Sequence, residues 1–243
     1  TYWDRALDVV QLPIEGQNIP RPAKQLSPNG KLNINKLSSP HTILGDSLYF
    51  KNVSFDVPYG SSHLLLGPEG CGKSTLMQFL CNVDSDYIGT ISAGGVDIKT
   101  VEPRAYRSNI AFVPQAQYFQ QGTIFSNIAS SQSITKQELS LVLNGLDLSD
   151  YLTSLPMKLG TVITPKAEFL PYDIRRKLLL AKACIKRCDF IFIDNGLDGL
   201  DIDVVSSIMN FLKSQTKTIL VTSSNKNLIP LFDNYTDISL LTQ

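Results

Sequence analysis

Apolar and polar residues alternate through residues 31–37 and 48–57, which predicts two strands near the start of the chain. Pro58-Tyr59-Gly60 then turns the chain into the apolar run His63-Leu64-Leu65-Leu66, the pattern of a strand buried on both faces, with a helix to follow at about residues 73–81. Residues 87–91 and 94–98 read as a small antiparallel ribbon, and residues 109–113 as a strand that returns to the main sheet. Between residues 123 and 155 the pattern turns helical, with candidates at 127–131 and 136–143 interrupted by polar residues and glycine. A strongly amphipathic helix is predicted over 174–188, followed by the buried strand Phe190-Ile191-Phe192-Ile193. A helix to about residue 213, a strand at 218–222, a short helix near 227–231 and a last strand around 235–241 complete the chain. Strands that alternate with helices of about 10–15 residues argue for an α/β fold with a mostly parallel sheet covered on both faces.

The 243 residues suffice for one large α/β domain or a domain with an insertion. Residues 1–29 carry Pro13, Pro20, Pro22 and Pro28 and lead into the turn signal Asn29-Gly30, the composition of a linker. Beginning at Thr1, the chain is expected to be cut from a longer protein. Lys plus Arg and Asp plus Glu both number 22, so no global field gathers nucleic acid or an anionic membrane. Cys71, Cys81, Cys184 and Cys188 lack the paired short spacings of a zinc site and are too few for a disulfide framework, and Cys184 and Cys188 read as small core residues of one helix. No apolar run approaches the roughly 18–20 residues that cross a bilayer, and no signal peptide opens the chain. A membrane role is therefore expected through a partner or a further segment.

Directly after the strand ending at Leu66 comes Gly67-Pro68-Glu69-Gly70-Cys71-Gly72-Lys73-Ser74-Thr75, which satisfies G-x-x-x-x-G-K-[ST] at every fixed position and precedes a predicted helix. Such a loop turns backbone N–H groups inward at a helix N-terminus, where unsatisfied donors favour an anion. Lys73 is expected to reach the β- and γ-phosphates, and the Ser74 hydroxyl to sit on Mg²⁺. Asp194 closes an apolar strand. In a parallel sheet the carboxyl ends of adjacent strands share one crevice, which lets Asp194 and Ser74 meet around the ion.

With these sites placed, the chain from about Gly30 to Leu240 resembles the nucleotide-binding domain of ATP-binding cassette (ABC) transporters of the exporter type. The run Ser108-Asn109-Ile110-Ala111-Phe112-Val113-Pro114-Gln115, followed by Phe119 and Gly122-Thr123-Ile124-Phe125-Ser126-Asn127-Ile128, is similar to the segment that holds the family's glutamine loop. The opening residues 3–15 resemble the linker that follows the last transmembrane helix of such exporters. The resemblance implies a P-loop NTPase fold of the ABC type, with a mostly parallel central sheet, an antiparallel β subdomain and an inserted helical subdomain. It divides the chain into a linker (1–29), an N-terminal core with the β subdomain (30–118), the helical subdomain (119–175) and the C-terminal core (176–243). ATP and Mg²⁺ are the implied ligands. Gly67, Glu69, Gly70, Cys71, Gly72, Lys73, Ser74, Thr75 and Gln115 are the implied nucleotide contacts. His41 is expected to stack on adenine, with Tyr49 as the fallback, and Ser74, Gln115 and Asp194 are the implied metal ligands. The implied partners are a transmembrane domain and a second nucleotide-binding domain, at the cytoplasmic face of a membrane.

Four matched positions depart from the family's pattern. Asn195 stands where the family usually has the glutamate that acts as general base, and an amide has no titratable group with which to accept a proton. Ser223 is assigned the place of the switch histidine, where a short hydroxyl reaches less far. The signature Leu-Ser-Gly-Gly-Gln becomes Leu170-Pro171-Tyr172-Asp173-Ile174: Pro171 has no N–H, Tyr172 adds bulk, and Asp173 brings a carboxylate toward a phosphate. Upstream, Pro165 in Thr164-Pro165-Lys166-Ala167 replaces the acidic residue of a loop that touches coupling helices, whereas Asp201 still matches the family's D-loop aspartate. The expectation is a domain that binds Mg-ATP and hydrolyses it weakly or not at all. The alternative is an inactive cassette that serves as an ATP-sensing regulator or scaffold. A kinase or small GTPase fits poorly, because neither has a natural place for Gln115 and the Asp194-to-Asp201 arrangement.

Overall fold

The computed structural model describes residues 30–39, 50–129 and 133–241. The linker 1–29 and the adenine-stacking candidates His41 and Tyr49 lie outside the described residues.

The strands run in chain order β1 (Leu32–Ser38), β2 (Val53–Val57), β3 (Ser62–Leu66), β4 (Ile88–Ala93), β5 (Val96–Asp97), β6 (Ile110–Val113), β7 (Gly122–Thr123), β8 (Val162–Ile163), β9 (Phe190–Asp194), β10 (Thr218–Ser223) and β11 (Asn234–Asp237). The helices are α1 (Lys73–Leu80), α2 (Pro103–Ser108), α3 (Ile124–Ala129), α4 (Lys136–Gly145), α5 (Ser149–Ser154), α6 (Tyr172–Ile185) and α7 (Ile202–Ser214). Among the described residues the central sheet has the order β11-β3-β10-β9-β6, and every pairing in it is parallel. A second sheet, β2-β1-β4-β5, is antiparallel throughout.

The central strands are apolar on both faces because both faces are covered. Leu64, Leu66, Ile191, Ile193, Ile219 and Val221 point to one core, which they share with α3, α4, α6 and α7. The alternate residues Leu65, Phe190, Phe192 and Leu220 point to a second core, where α1 packs through Leu76, Met77, Phe79 and Leu80. The antiparallel sheet closes that second core with Leu32, Ile34, Leu37, Val53, Val57 and Ile91.

Several predicted bounds move for identifiable reasons. Of the strand expected over 48–57, residues 48–49 lie outside the described residues, and the observed strand starts at Val53, because Asn52 takes a left-handed conformation (φ 55°) with its N–H on Ser38 Oγ at 2.9 Å. The helix expected over 174–188 begins two residues earlier, with Pro171 at its N-cap, where a missing N–H costs no helical bond. It ends at Ile185, since the next residue, Lys186, is extended and its ammonium donates to the carbonyls of Arg107 and Ile110. The last strand stops at Asp237, whose carboxylate accepts from the Ser239 N–H and hydroxyl and turns the chain into a 3-10 turn at Ile238–Leu241. The short helix α2 and the β7–β8 pair were not predicted, and α5 lies inside the stretch read as helical, 123–155, without having been singled out there. Glu102 caps α2 by accepting from the N–H groups of Arg104 and Ala105, with Pro103 at its first position.

Candidate phosphate-binding site

The parallel register sets the site. Leu66 pairs with Ser223 and Thr222 with Asp194, so β3, β10 and β9 end level with one another at their carboxyl ends. The loop that leaves β3 is tied to β10 by the Gly67 N–H on the Ser223 carbonyl at 3.3 Å. A Cβ on Gly67 would lie 2.5 Å from Cys71 Sγ and 2.9 Å from Ile238 Cγ1, so only glycine fits under the turn. Gly72 reaches the N-cap of α1 with φ 90°, a conformation other residues rarely adopt.

A cleft of about 360 Å³ lies beside this loop, lined by Glu69, Gly70, Gly72, Lys73, Ser74, Thr75, Gln115 and Asn195. Its lining is largely polar, and the N–H groups of the first turn of α1 have no carbonyl before them within the helix. Lys73 is buried, with its ammonium donating to the carbonyls of Gly67 and Pro68, both at 2.7 Å, and to Ser224 Oγ at 3.4 Å. Gly67 and Cys71 shape the loop from behind and are not among the residues that line the cleft.

Asp194 is buried at the end of β9. One of its carboxylate oxygens accepts from the Thr222 hydroxyl at 2.7 Å, which leaves the other for a further donor or an ion. The same Thr222 oxygen accepts the Asn195 N–H at 2.9 Å and holds Asn195 in a left-handed turn (φ 45°). Asn195 thus faces the cleft with an amide on a fixed backbone. Ser223 is fully buried and its hydroxyl donates to the Asp198 carboxylate. The following residue, Ser224, is exposed and is the serine that comes to Lys73.

In the segment 170–174, Tyr172 folds back on its own chain, its hydroxyl donating to the Asp198 carbonyl at 3.0 Å. Pro165 accepts the Phe119 N–H at 2.9 Å, which ties its loop to the segment after Gln115. All four cysteines are free thiols. Cys184 is buried on α6, where burial pushes its thiol up to about 12, whereas Cys188 lies past the helix end.

Residues 50–197 match the sequence profile described as ABC transporter. The chain belongs to the ABC transporter family. This ABC cassette is 30 % identical over 156 residues to the ABC multidrug transporter MDR1 of Cryptococcus neoformans var. grubii, across 62 % of this chain and 11 % of that protein. It is 29 % identical over 177 residues to the mitochondrial ATP-dependent permease MDL2 of Saccharomyces cerevisiae, across 70 % of this chain and 23 % of the permease. The chain therefore spans less than a quarter of the length of either relative. The solved structure of a bacterial Atm1-family ABC exporter with ATP bound superposes with a TM-score of 0.87 over 97 % of this chain and 41 % of that one, at 20 % identity, a likeness of fold. The cassette has the ABC ATPase fold, with parallel and antiparallel sheets as the motifs imply. No helix among its described residues is long and apolar enough to cross a membrane.

Three participants escaped sequence reasoning. Thr222 was hidden because its partners Asp194 and Asn195 are distant in sequence and meet it only through strand pairing. Asp198 and Ser224 carry no spacing signal of their own. The alternation along β10 was the available clue to Ser224: Ser223 still belongs to the strand, and the next residue leaves it.

Proposed function

We propose that this cassette is the nucleotide-binding domain of an exporter-type membrane protein, binding Mg-ATP through its own phosphate loop and hydrolysing it slowly or not at all. The observation that carries this reading is the polar cleft in which Lys73 and Ser74 sit together with Asn195 in place of a carboxylate. On this reading Lys73 exchanges its bonds to the Gly67 and Pro68 carbonyls for bonds to the β- and γ-phosphates, and the α1 N–H groups hold the phosphate oxygens. Ser74, the free Asp194 oxygen and Gln115 fit the oxygen-donor set that Mg²⁺ takes. The ion would neutralise phosphate charge and fix its orientation. Asn195 can orient a water but cannot take its proton. Ser224, rather than Ser223, fills the place of the switch histidine, since Ser223 is sealed against Asp198. Glu69, Thr75 and Gln115, which line the cleft, keep the roles assigned above, whereas Cys71 supports the loop from behind.

The proposed partners are a transmembrane domain and a second cassette at the cytoplasmic face of a membrane. The reading as an ATP-sensing regulator or scaffold draws support from Tyr172, which is engaged within its own chain where a signature would serve a neighbour's nucleotide.

The test is equilibrium binding of ATP with Mg²⁺, combined with single-turnover hydrolysis. Lys73→Ala is expected to weaken ATP binding at least about 100-fold, in keeping with the loss of several charge-assisted bonds. Equal affinity in the two proteins would refute the site. Turnover that depends on Lys73 and proceeds at a rate above about 1 s⁻¹, within the usual range of enzymes, would refute the weak-hydrolysis reading.

A further inference from the structure

The first turn of α6 binds inward. The Tyr172 hydroxyl, which donates to the Asp198 carbonyl, accepts from Arg176 Nε at 3.2 Å. Arg176 is 3 % exposed, and its remaining nitrogens donate to the carbonyls of Pro114 at 2.9 Å and Gln115 at 2.5 Å. Among the described residues no carboxylate lies within ion-pair distance of this guanidinium. The guanidinium also lies 5.4 Å from the centroid of the Tyr172 ring, and a buried cation whose hydrogen bonds all go to neutral oxygens needs each of them, because one lost leaves a donor unsatisfied out of water.

The series continues from Asp198 toward the cleft. Its carboxylate accepts from the Ser223 hydroxyl and, at 3.4 Å, from the Ser224 N–H. The Ser224 hydroxyl in turn lies 3.4 Å from Lys73 Nζ. Arg176, Tyr172, Asp198, Ser224 and Lys73 thus form one connected path from the glutamine-loop carbonyls, through the replaced signature, to the phosphate-loop lysine of the same chain.

We infer that Tyr172 is a positioning residue for the γ-phosphate side of this chain's own nucleotide site, acting through Asp198 and Ser224. The inference rests on the nucleotide reading above. A phosphate-loop lysine reaches the β- and γ-phosphates, and the hydroxyl beside its ammonium belongs to Ser224, whose backbone N–H Asp198 holds. ADP has no γ-phosphate, so misplacing Ser224 penalises ATP and spares ADP. In this cassette the signature position has changed its service, from capping a nucleotide across an interface to setting a hydroxyl at home.

The experiment is a double-mutant cycle with Tyr172→Phe and Ser224→Ala, reading the affinities for ADP and for a non-hydrolysable ATP analogue, both with Mg²⁺. Tyr172→Phe keeps the ring and removes only the hydroxyl, and circular-dichroism melts verify that each protein is folded. Tyr172→Phe is expected to weaken the ATP analogue about fivefold, the effect of one hydrogen bond, with ADP unchanged. Ser224→Ala alone is expected to do the same, and Tyr172→Phe to add nothing in the Ser224→Ala background. Equal losses for the two nucleotides, or additive effects of the two substitutions, would overturn the inference and leave Tyr172 a structural residue. Wild-type protein that binds neither nucleotide would overturn the site reading itself, and the inference with it.

Discussion

The hydroxyl of Thr222 donates to Asp194 and accepts from the Asn195 N–H, so one fully buried oxygen fixes both the carboxylate and the turn that presents the amide. Thr222→Val keeps the shape and removes both bonds. It is expected to cost about 1–3 kcal/mol in urea unfolding and to weaken the Mg²⁺ dependence of ATP binding. A variant with unchanged Mg²⁺ dependence would detach Asp194 from the metal role. His63 makes a second prediction. It is buried in β3, stacked on Phe55 at 4.8 Å, and burial pulls its imidazole from 6.5 down to about 4. The unfolded chain takes up this proton near pH 6.5 while the fold refuses it until about pH 4. The contribution of His63 to stability is therefore full above about pH 6.5, falls by roughly 3 kcal/mol on descending to about pH 4 and changes no further below, and His63→Phe should remove this part of the slope from the urea midpoints. At this scale the phosphate loop was legible because its chemistry is local in sequence. Thr222 was not, because its meaning comes from a neighbouring strand.

Elements were legible where period and punctuation agreed. The buried strands β3, β9 and β10 and the helices α1 and α7 lie close to where alternation and amphipathic spacing put them. Bounds failed where a single side chain redirected the backbone, as Asp237 does at the end of β11. Contacts between helices were invisible, since they join residues far apart in the chain. Gly145, at the end of α4, is such a contact: a Cβ there would fall 2.2 Å from the Phe211 ring of α7. The ring must shift to admit a methyl group, and Gly145→Ala is expected to destabilise the fold by about 1–3 kcal/mol in chemical denaturation. Gly145→Ala combined with Phe211→Leu should recover part of that loss, whereas a lack of recovery would place the strain elsewhere.

At the scale of the molecule, the engagement of Tyr172 with Asp198 within one chain bears on assembly. A second copy would meet Pro171, Tyr172 and Asp173 where a signature offers N–H groups and small residues. Sedimentation velocity with saturating Mg-ATP is expected to show a monomer at micromolar concentration. A nucleotide-dependent homodimer would show that the segment 170–174 can still grip a neighbouring site. The fold class was legible as a whole because strand, loop and helix recur in order along the chain. The route from Arg176 to Lys73 was not, because each of its links crosses between segments that sequence order keeps apart.

The central sheet has a mechanical consequence. Neighbouring residues of β9 and β10 serve opposite cores, Phe192 and Leu220 on one side and Ile193 and Val221 on the other, so the sheet is a party wall shared by two rooms. Neither room can be emptied while its wall stands undisturbed for the other. Damage to the helical side will be felt by α1 and the loop before it, and heat should bring down both rooms in one event.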